Sequence, residues 1–258
     1  MLLIDWIACA SIVALVVIAT TTLSMLVQHR SLHPEIARKS LHVSFGLVAS
    51  ALPWIFSNPF PVLAGAAAIL VFLALVRSSP RLRRTLGSSL HAVERGSLGD
   101  IYLVLGICIA ILTAPTAVDY AVAVLILSFA DPAAAAAGMK FGRHPYRCLQ
   151  GRKTLEGSAA FFVVAAAVSV LILATCVPVP VPTACFISLT VASACTLAEA
   201  VAGGGRDNLT VPAAAVLALL DPETAALAML LFVAGAGVLR FLALARSRRV
   251  PRAHHVFN

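Results

Sequence analysis

The sequence predicts an all-α, polytopic integral membrane protein with about nine transmembrane helices, its N-terminus outside and its C-terminus in the cytoplasm. Three observations support this prediction: 60% of the 258 residues are hydrophobic, only 12% are charged, and the basic residues fall between alternate apolar runs. A soluble domain carries about 25% charged residues, so this chain lacks the charge to cover a soluble surface. That excludes a soluble enzyme, a disordered chain and a nucleic-acid-binding module, and we expect no nucleic-acid partner.

Nine apolar runs are candidates for the spans, because a helix needs about 20 apolar residues to cross a bilayer. Several runs are short, so we expect some tilted or broken helices. No basic residue precedes the first run, as one would in a cleaved signal, so we expect this run to be retained. We interpret 1–258 as one membrane-embedded domain with a basic tail at 245–258. The nine runs are 3–27, 41–56, 60–76, 101–112, 117–129, 158–176, 182–198, 209–220 and 225–244.

Basic residues lie on one side of this nine-span arrangement. Of the 19 Lys and Arg, 14 fall in alternate connecting segments and five lie from Arg240 to the C-terminus, and the remaining connections contain none. Because Lys and Arg mark cytoplasmic loops, this pattern sets the predicted orientation. We expect a multi-pass protein of a prokaryotic cell membrane, with its active site on the cytoplasmic face where the polar residues gather.

The first polar group opens the second run. Glu35, Arg38 or Lys39, His42 and Gly46 recur at three- or four-residue steps and so share one helix face. For Arg38 and Lys39 alone, charge that follows the positive-inside rule is the simpler interpretation. His42 enters an apolar span, where an ionisable residue is a functional candidate, although a hydrogen-bonded structural His is an equal alternative.

A second group, at 94–102, leads into the fourth run, where Asp100 is either an N-cap or a ligand.

The third group begins at Asp131. Asp131 followed by Pro132 is the pattern of an N-cap and a first-turn proline, so we expect a helix to restart there at the membrane surface. The free amides and dipole of such a helix end attract phosphate. A carboxylate at the same place can hold Mg²⁺, which takes oxygen ligands and bridges phosphates.

The segment 151–158, GRKTLEGS, follows as a glycine-flanked loop. Its glycines let the backbone approach a ligand closely, and Arg152 and Lys153 can neutralise phosphate oxygens. Neither a Walker A loop nor a kinase-type GxGxxG is present. Taken alone, the loop could be a basic turn that ends in a helix cap; together with Asp131 it favours a phosphate site.

A fourth group follows the seventh run, with three glycines at 203–205 and then Arg206, Asp207 and Asn208. On its own it is a plain flexible loop between spans. If it lies on the same face as Asp131 and Lys153, it adds oxygen ligands and one more cation to that site.

At these residues the sequence resembles the membrane-bound polyprenol kinase family, the phytol, farnesol and dolichol kinases, which typically use CTP. Departures are mild: Arg152, Thr154 and Ala130 stand where the family often has Lys, Ser and Gly. Larger dolichol kinases carry extra spans, so the phytol- or farnesol-kinase-like branch is nearer. The matching stretches, in the family's order, are ARKSLHVSFG (37–46), ERGSLGDIY (94–102), ADPAAAAAGMKFGRH (130–144), GRKTLEGS (151–158) and AEAVAGGGRDNLTVP (198–212).

The resemblance implies transfer of a nucleotide phosphate, from CTP, to an isoprenoid alcohol that reaches the site from the bilayer. We expect Asp131 and Lys153 to be catalytic, with either Glu156 or His42 taking the alcohol proton. We expect Mg²⁺ or Mn²⁺ on Asp131, Asp207 and Asn208. The expected nucleotide- and phosphate-binding residues are Arg38, Lys39, Gly142, Arg143, Gly151, Arg152, Lys153, Thr154, Gly157 and Arg206.

Two other functions remain open at this point. A CTP-dependent cytidylyltransferase acting on phosphatidate or another lipid needs a similar nucleotide site, and the residues discriminate poorly between it and a kinase. A transporter is less favoured, because no internal repeat is visible and most polar residues gather at one membrane face rather than at mid-bilayer.

Overall fold

The computed structural model describes residues 2–29, 34–79 and 98–227, and they form a helical bundle with one small hairpin. We number the elements in chain order. They are α1 (Leu2–Gln28), α2 (Pro34–Ser50), α3 (Leu52–Ile55), α4 (Phe60–Ser78), α5 (Gly99–Thr113), α6 (Ala117–Phe141), β1 (Pro145–Cys148), β2 (Gly151–Thr154), α7 (Leu155–Cys176), α8 (Val181–Val201) and α9 (Asp207–Leu220).

The helices follow eight of the nine predicted runs. Five of them, α1, α4, α6, α7 and α8, are long and apolar enough to cross a membrane, and α5 and α9 are shorter apolar helices. The second run differs, because the chain breaks between α2 and α3 at Ala51, two residues before Pro53 in the first turn of α3. The ninth run extends beyond the described residues, as does the basic tail. A mostly helical membrane protein is therefore supported, while nine spans and their orientation stay predictions.

The predicted helix restart at Asp131 is wrong. Helix α6 runs without a break from Ala117 to Phe141, with Pro132 in its interior. A proline there lacks the N–H that would bond to the carbonyl four residues earlier, but membrane helices tolerate this where neighbouring helices support the backbone. Asp131 therefore projects from the middle of a long helix, and it has no free helix-end amides beside it.

The segment 151–158 is also not a loop. Residues 151–154 form strand β2, which pairs antiparallel with β1 so that Tyr146 faces Lys153 across the hairpin. Gly151 has a φ of +117° directly after the turn, a conformation that glycine adopts without strain. The protein is thus not purely α-helical, and the hairpin sets which side chains of 151–154 point toward the bundle.

Helix α6 is the centre of the bundle and packs against α2, α5, α7 and α9. Its side chains from Tyr120 to Val124 are all buried. Small residues let the helices approach closely, as is common between membrane helices: a Cβ on Gly46 of α2 would collide with the Ser128 side chain of α6. This close contact brings the polar first half of α2 against the second half of α6.

Candidate functional site

A cavity of about 350 Å³ lies between α1, α2, α4 and α5. Apolar side chains line most of its length. One end is polar, and there α5, α6 and α9 contribute to the wall. The residues at this polar end are His42, Gly99, Asp100, Asp131, Gly205, Asp207 and Asn208.

Lys39 and Asp131 form an ion pair at this end, with Nζ 2.8 Å from Oδ2. Both side chains are largely buried, with 17% and 19% of their surface exposed. The close approach of α2 and α6 accounts for this pairing of residues 92 positions apart. One turn further along α2, His42 contacts the backbone oxygen of Leu127 through Nε2 at 3.2 Å. A carbonyl oxygen only accepts hydrogen bonds, so this contact assigns a proton to Nε2.

Lys153 is the centre of a second polar cluster. Its Nζ donates to Glu199 Oε1 at 2.6 Å and to Asp207 Oδ2 at 3.2 Å. Ser158 donates to the other oxygen of Glu199 at 3.2 Å, and the Tyr146 hydroxyl lies 2.6 Å from Ser158 Oγ. Because the Ser158 hydrogen goes to Glu199, Tyr146 donates to Ser158. The cluster holds the Lys153 ammonium by two carboxylates.

The charge of Lys153 is stabilised by this environment. Burial alone would lower the pKa of Lys153, but the carboxylates of Asp207 and Glu199 outweigh it and raise the pKa above its usual value. Burial also raises the pKa of the Tyr146 phenol, with the bond to Ser158 opposing that effect. Lys153 is therefore a fixed positive charge, and Tyr146 a neutral hydrogen-bond donor.

The hairpin is held in place by the glycines before α9. The backbone N–H of Leu149 donates to Val201 O at 3.1 Å. A Cβ on Gly203 would lie 2.4 Å from the backbone oxygen of Gln150. Gly204 also touches the Gln150 side chain and has a φ of +64°. Gly203 and Gly204 thus serve close packing, and this packing places Lys153 beside α8 and α9.

Two helices begin at the polar end of the cavity. Asn208 Nδ2 donates to Gly99 O at 2.7 Å, which ties the first turn of α9 to that of α5. Asp100, in that first turn of α5, pairs with Arg77 of α4. The N-termini of α5 and α9, rather than a helix start at Asp131, supply the helix-end dipoles that attract anions.

Several predicted site residues lie elsewhere or have structural contacts. Thr154 caps α7 by accepting from Gly157 N at 3.1 Å, so the helix-cap alternative holds for this residue. Gly142 ends α6 and packs on Thr154. Glu156 bonds to His144 Nδ1 at 2.6 Å and, unlike His42, does not line the cavity.

The remaining predicted cations differ in placement. Arg143 and Arg152 are exposed, and Arg206 is half-buried at the start of α9. None of the three has an ion pair among the described side chains. Arg152 points away from Lys153, since neighbouring strand residues face opposite sides. For Arg38 the structure describes only its place in helix α2.

Sequence reasoning underestimated Glu199. It is 4% exposed and lies near the end of the apolar helix α8, and no role was predicted for it. An ionisable residue within an apolar span is a functional candidate by default, and that signal alone could have singled it out. Ser158 and Tyr146 had no comparable signal, because their roles depend on the hairpin register.

The oxygen ligands expected for a divalent cation line one cavity end. Asp131, Asp207 and Asn208 all contribute to that wall. Among the described residues, no group of three or more His, Cys, Asp or Glu side chains is arranged to hold a metal ion by itself. Mg²⁺ is commonly bound by one or two carboxylates together with substrate phosphates and water, so this donor set fits a cation that arrives with a nucleotide.

Fold and site together define a helical membrane protein with a charged cluster at one end of an apolar cavity. Over 196 residues the chain is 29% identical to the phytol kinase of Synechocystis sp., an alignment that covers 74% of this chain and 82% of that protein. This similarity confirms the resemblance indicated by the motifs and supports a polyprenol or phytol kinase-like family. No family model matches the sequence, and no solved structure matches it.

Proposed function

We propose that this protein is a membrane-embedded kinase that transfers the terminal phosphate of CTP to an isoprenoid alcohol of the phytol, farnesol or polyprenol type. One observation carries the proposal: Asp207 belongs both to the wall of an apolar cavity and to the Lys153 cluster. A lipid substrate and a phosphate donor need such a junction, since one is apolar and the other highly charged.

The two lysines would contact the phosphates. Lys39 and Lys153 are each paired with a carboxylate that faces the cavity end, so their charges are already positioned before substrate binds. Fixed charges in a partly dry site stabilise the developing charge of a transferring phosphate without reorganisation. Phosphoryl transfer depends mainly on such positioning and neutralisation.

Asp131, Asp207 and Asn208 would hold Mg²⁺ or Mn²⁺ with the nucleotide. When bound, the cation supplies charge neutralisation between the phosphates. The exposed cations Arg143 and Arg152 lie outside the cavity, so we assign the phosphates to the two lysines rather than to these arginines.

In the reaction, the alcohol oxygen forms a bond to the terminal phosphorus while the bond from that phosphorus to the bridging oxygen breaks, and CDP leaves. The alcohol proton must go to a base. His42 lines the cavity, whereas Glu156 does not, so we assign this role to His42.

The test is an assay of the purified protein in lipid nanodiscs with CTP or ATP labelled in the terminal phosphate. Farnesol, phytol and a polyprenol serve as acceptors, with and without EDTA. We expect the label in the lipid phase, CDP as the other product, and no transfer in EDTA. A CDP-lipid with pyrophosphate would identify a cytidylyltransferase instead. Nucleotide-independent uptake into proteoliposomes would identify a transporter.

A further inference from the structure

The apolar part of the cavity extends far from the charged end. Along α4 its wall runs from Pro61 to Leu73, which is about 18 Å at 1.5 Å per residue. On α5 it runs from Gly99 to Ile107, about 12 Å by the same rise. The length of the cavity is therefore close to the depth of one leaflet of a bilayer core, which is roughly 15 Å.

The walls of this cavity suit a hydrocarbon chain. Thr20 is one of the polar side chains in the apolar part of the wall, and its hydroxyl donates to Val16 O at 2.7 Å in its own helix. Another is Cys9, whose Sγ donates to Pro61 O at 3.0 Å. Both donors are thus satisfied by backbone oxygens, and apolar spaces of this kind take up apolar ligands rather than water.

The far end of the cavity is lined by buried apolar residues. Phe56 and Val62 are 7% and 8% exposed, and the thiol contact of Cys9 fastens α1 to the start of α4 beside them. On α5 the wall reaches only Ile107, about 12 Å from the start of that helix, so Phe56 and the start of α4 form the far end. Helix α2 packs mainly on α6, whereas α4 packs mainly on α1 and α5, so the cavity occupies the space left between α2 and α4.

We propose that this cavity binds the whole hydrocarbon chain of the alcohol, with the hydroxyl at Asp131 and Asp207, and that Val62 at its far end limits the chain length. The inference rests on the proposed function for its ligand. The cavity would then accept alcohols with chains about as long as those of farnesol or phytol. A polyprenol several times longer would have to leave the cavity sideways.

The first experiment compares two substitutions on α4. Val62→Phe adds volume at the far end of the cavity, and Val71→Phe makes the same change on the exposed face, where Val71 is 59% exposed. We expect Val62→Phe to lower kcat/KM for phytol about tenfold more than for farnesol, in line with the selectivity of apolar pockets. Val71→Phe should leave the ratio unchanged. An unchanged ratio in Val62→Phe protein with a normal melting temperature would overturn the length limit.

The second experiment needs no catalysis, so it separates this inference from the kinase proposal. A photoreactive farnesol analogue is crosslinked to the full-length protein in nanodiscs without nucleotide, and labelled peptides are mapped. We expect labels on α1, α4 and α5 facing the cavity, and competition by phytol but not by added phospholipid. Labels confined to exposed helix faces, or equal competition by phospholipid, would overturn the cavity assignment even if the protein phosphorylates alcohols. Specific labelling without any kinase activity would instead leave the cavity site standing and refute the proposed reaction.

Discussion

Asp207 accepts a hydrogen bond from Lys153 at 3.2 Å and also faces the polar end of the apolar cavity. These two residues are 54 positions apart, and the docking of the hairpin against the glycines before α9 brings them together. A single carboxylate thus connects the cation of the hairpin to the space in which the lipid would lie. Its charge should matter more for turnover than for folding.

Asp207→Asn tests that connection. The amide keeps the size of the side chain and can still accept from Lys153, but the negative charge is gone. We expect turnover to fall by about 10²–10³, the usual cost of losing one electrostatic contact to a transition state. The control is Asp221→Asn at the other end of α9, where the carboxylate caps Thr224 N at 3.0 Å and Asn caps equally well. Equal turnover in the two variants would contradict a role for Asp207.

Lys153 requires a paired design, because removing it alone leaves Glu199 buried without its cation. Breaking a buried ion pair on one side costs about 3–5 kcal/mol, so Lys153→Met should lower the melting temperature as well as the turnover. We expect Lys153→Met combined with Glu199→Gln to regain most of the thermal stability and none of the activity. If activity returned with stability, Lys153 would be a structural residue.

Asp131→Asn removes the negative charge that pairs with Lys39 but keeps the size of the side chain. The amide still accepts from Lys39, so we expect a stability loss well below the cost of about 3–5 kcal/mol for a buried pair that loses one partner. Turnover should fall by about 10² or more. Asp119→Asn, in the first turn of the same helix, is the control and should keep full turnover. A variant at Asp131 as active as the control would remove this residue from the site.

Gly203→Ala tests how the hairpin is held. The added Cβ would lie 2.4 Å from the Gln150 backbone oxygen, so the hairpin must move and Lys153 with it. We expect at least a tenfold loss of turnover. Gly151→Ala is the comparison: its φ of +117° makes Ala strained, but the Cβ meets nothing within 4 Å. That variant should lose about 1 kcal/mol of stability with smaller loss of turnover. The reverse ranking would contradict the docking explanation.

The pH dependence of stability follows from the raised pKa of Lys153. A cation whose pKa is higher in the folded than in the unfolded protein stabilises fully below the unfolded value, and that contribution is lost as pH rises through the folded one. For a lysine this window opens above about pH 10. We expect the melting temperature of the wild type to fall more steeply there than that of Lys153→Met with Glu199→Gln. Parallel curves would show that the two carboxylates do not stabilise the ammonium.

The sequence predicted most helices because apolar runs of the right length have few alternatives in a membrane. It failed at Asp131, because Asp–Pro has the same local pattern at a helix start and inside a membrane helix that its neighbours support. The hairpin at 145–154 was missed for a related reason: four-residue strands give almost no periodic signal.

The sequence predicted which residue types form the candidate site, but it did not predict how they are arranged. Asp131, Asp207, Asn208 and His42 do line one cavity end, but the pairing of Lys153 with Glu199 depends on strand register and on a turn packing that no local pattern encodes. The cavity itself arises from the spacing of four helices. It could not be read from the residues one helix at a time.

Helices α5 and α9 contain 15 and 14 residues, which makes each about 22 Å long, whereas the bilayer core is about 30 Å thick. Their first turns carry Asp100, Asp207 and Asn208, and if the opposite ends of both helices reach the far surface of the core, these side chains lie about 8 Å inside it. A nucleotide would therefore have to descend toward the acyl chains, and the lipid would not have to rise. Drawing an alcohol out of the bilayer costs about 0.8 kcal/mol for each methylene exposed to water, and a recessed site avoids that cost for the whole chain.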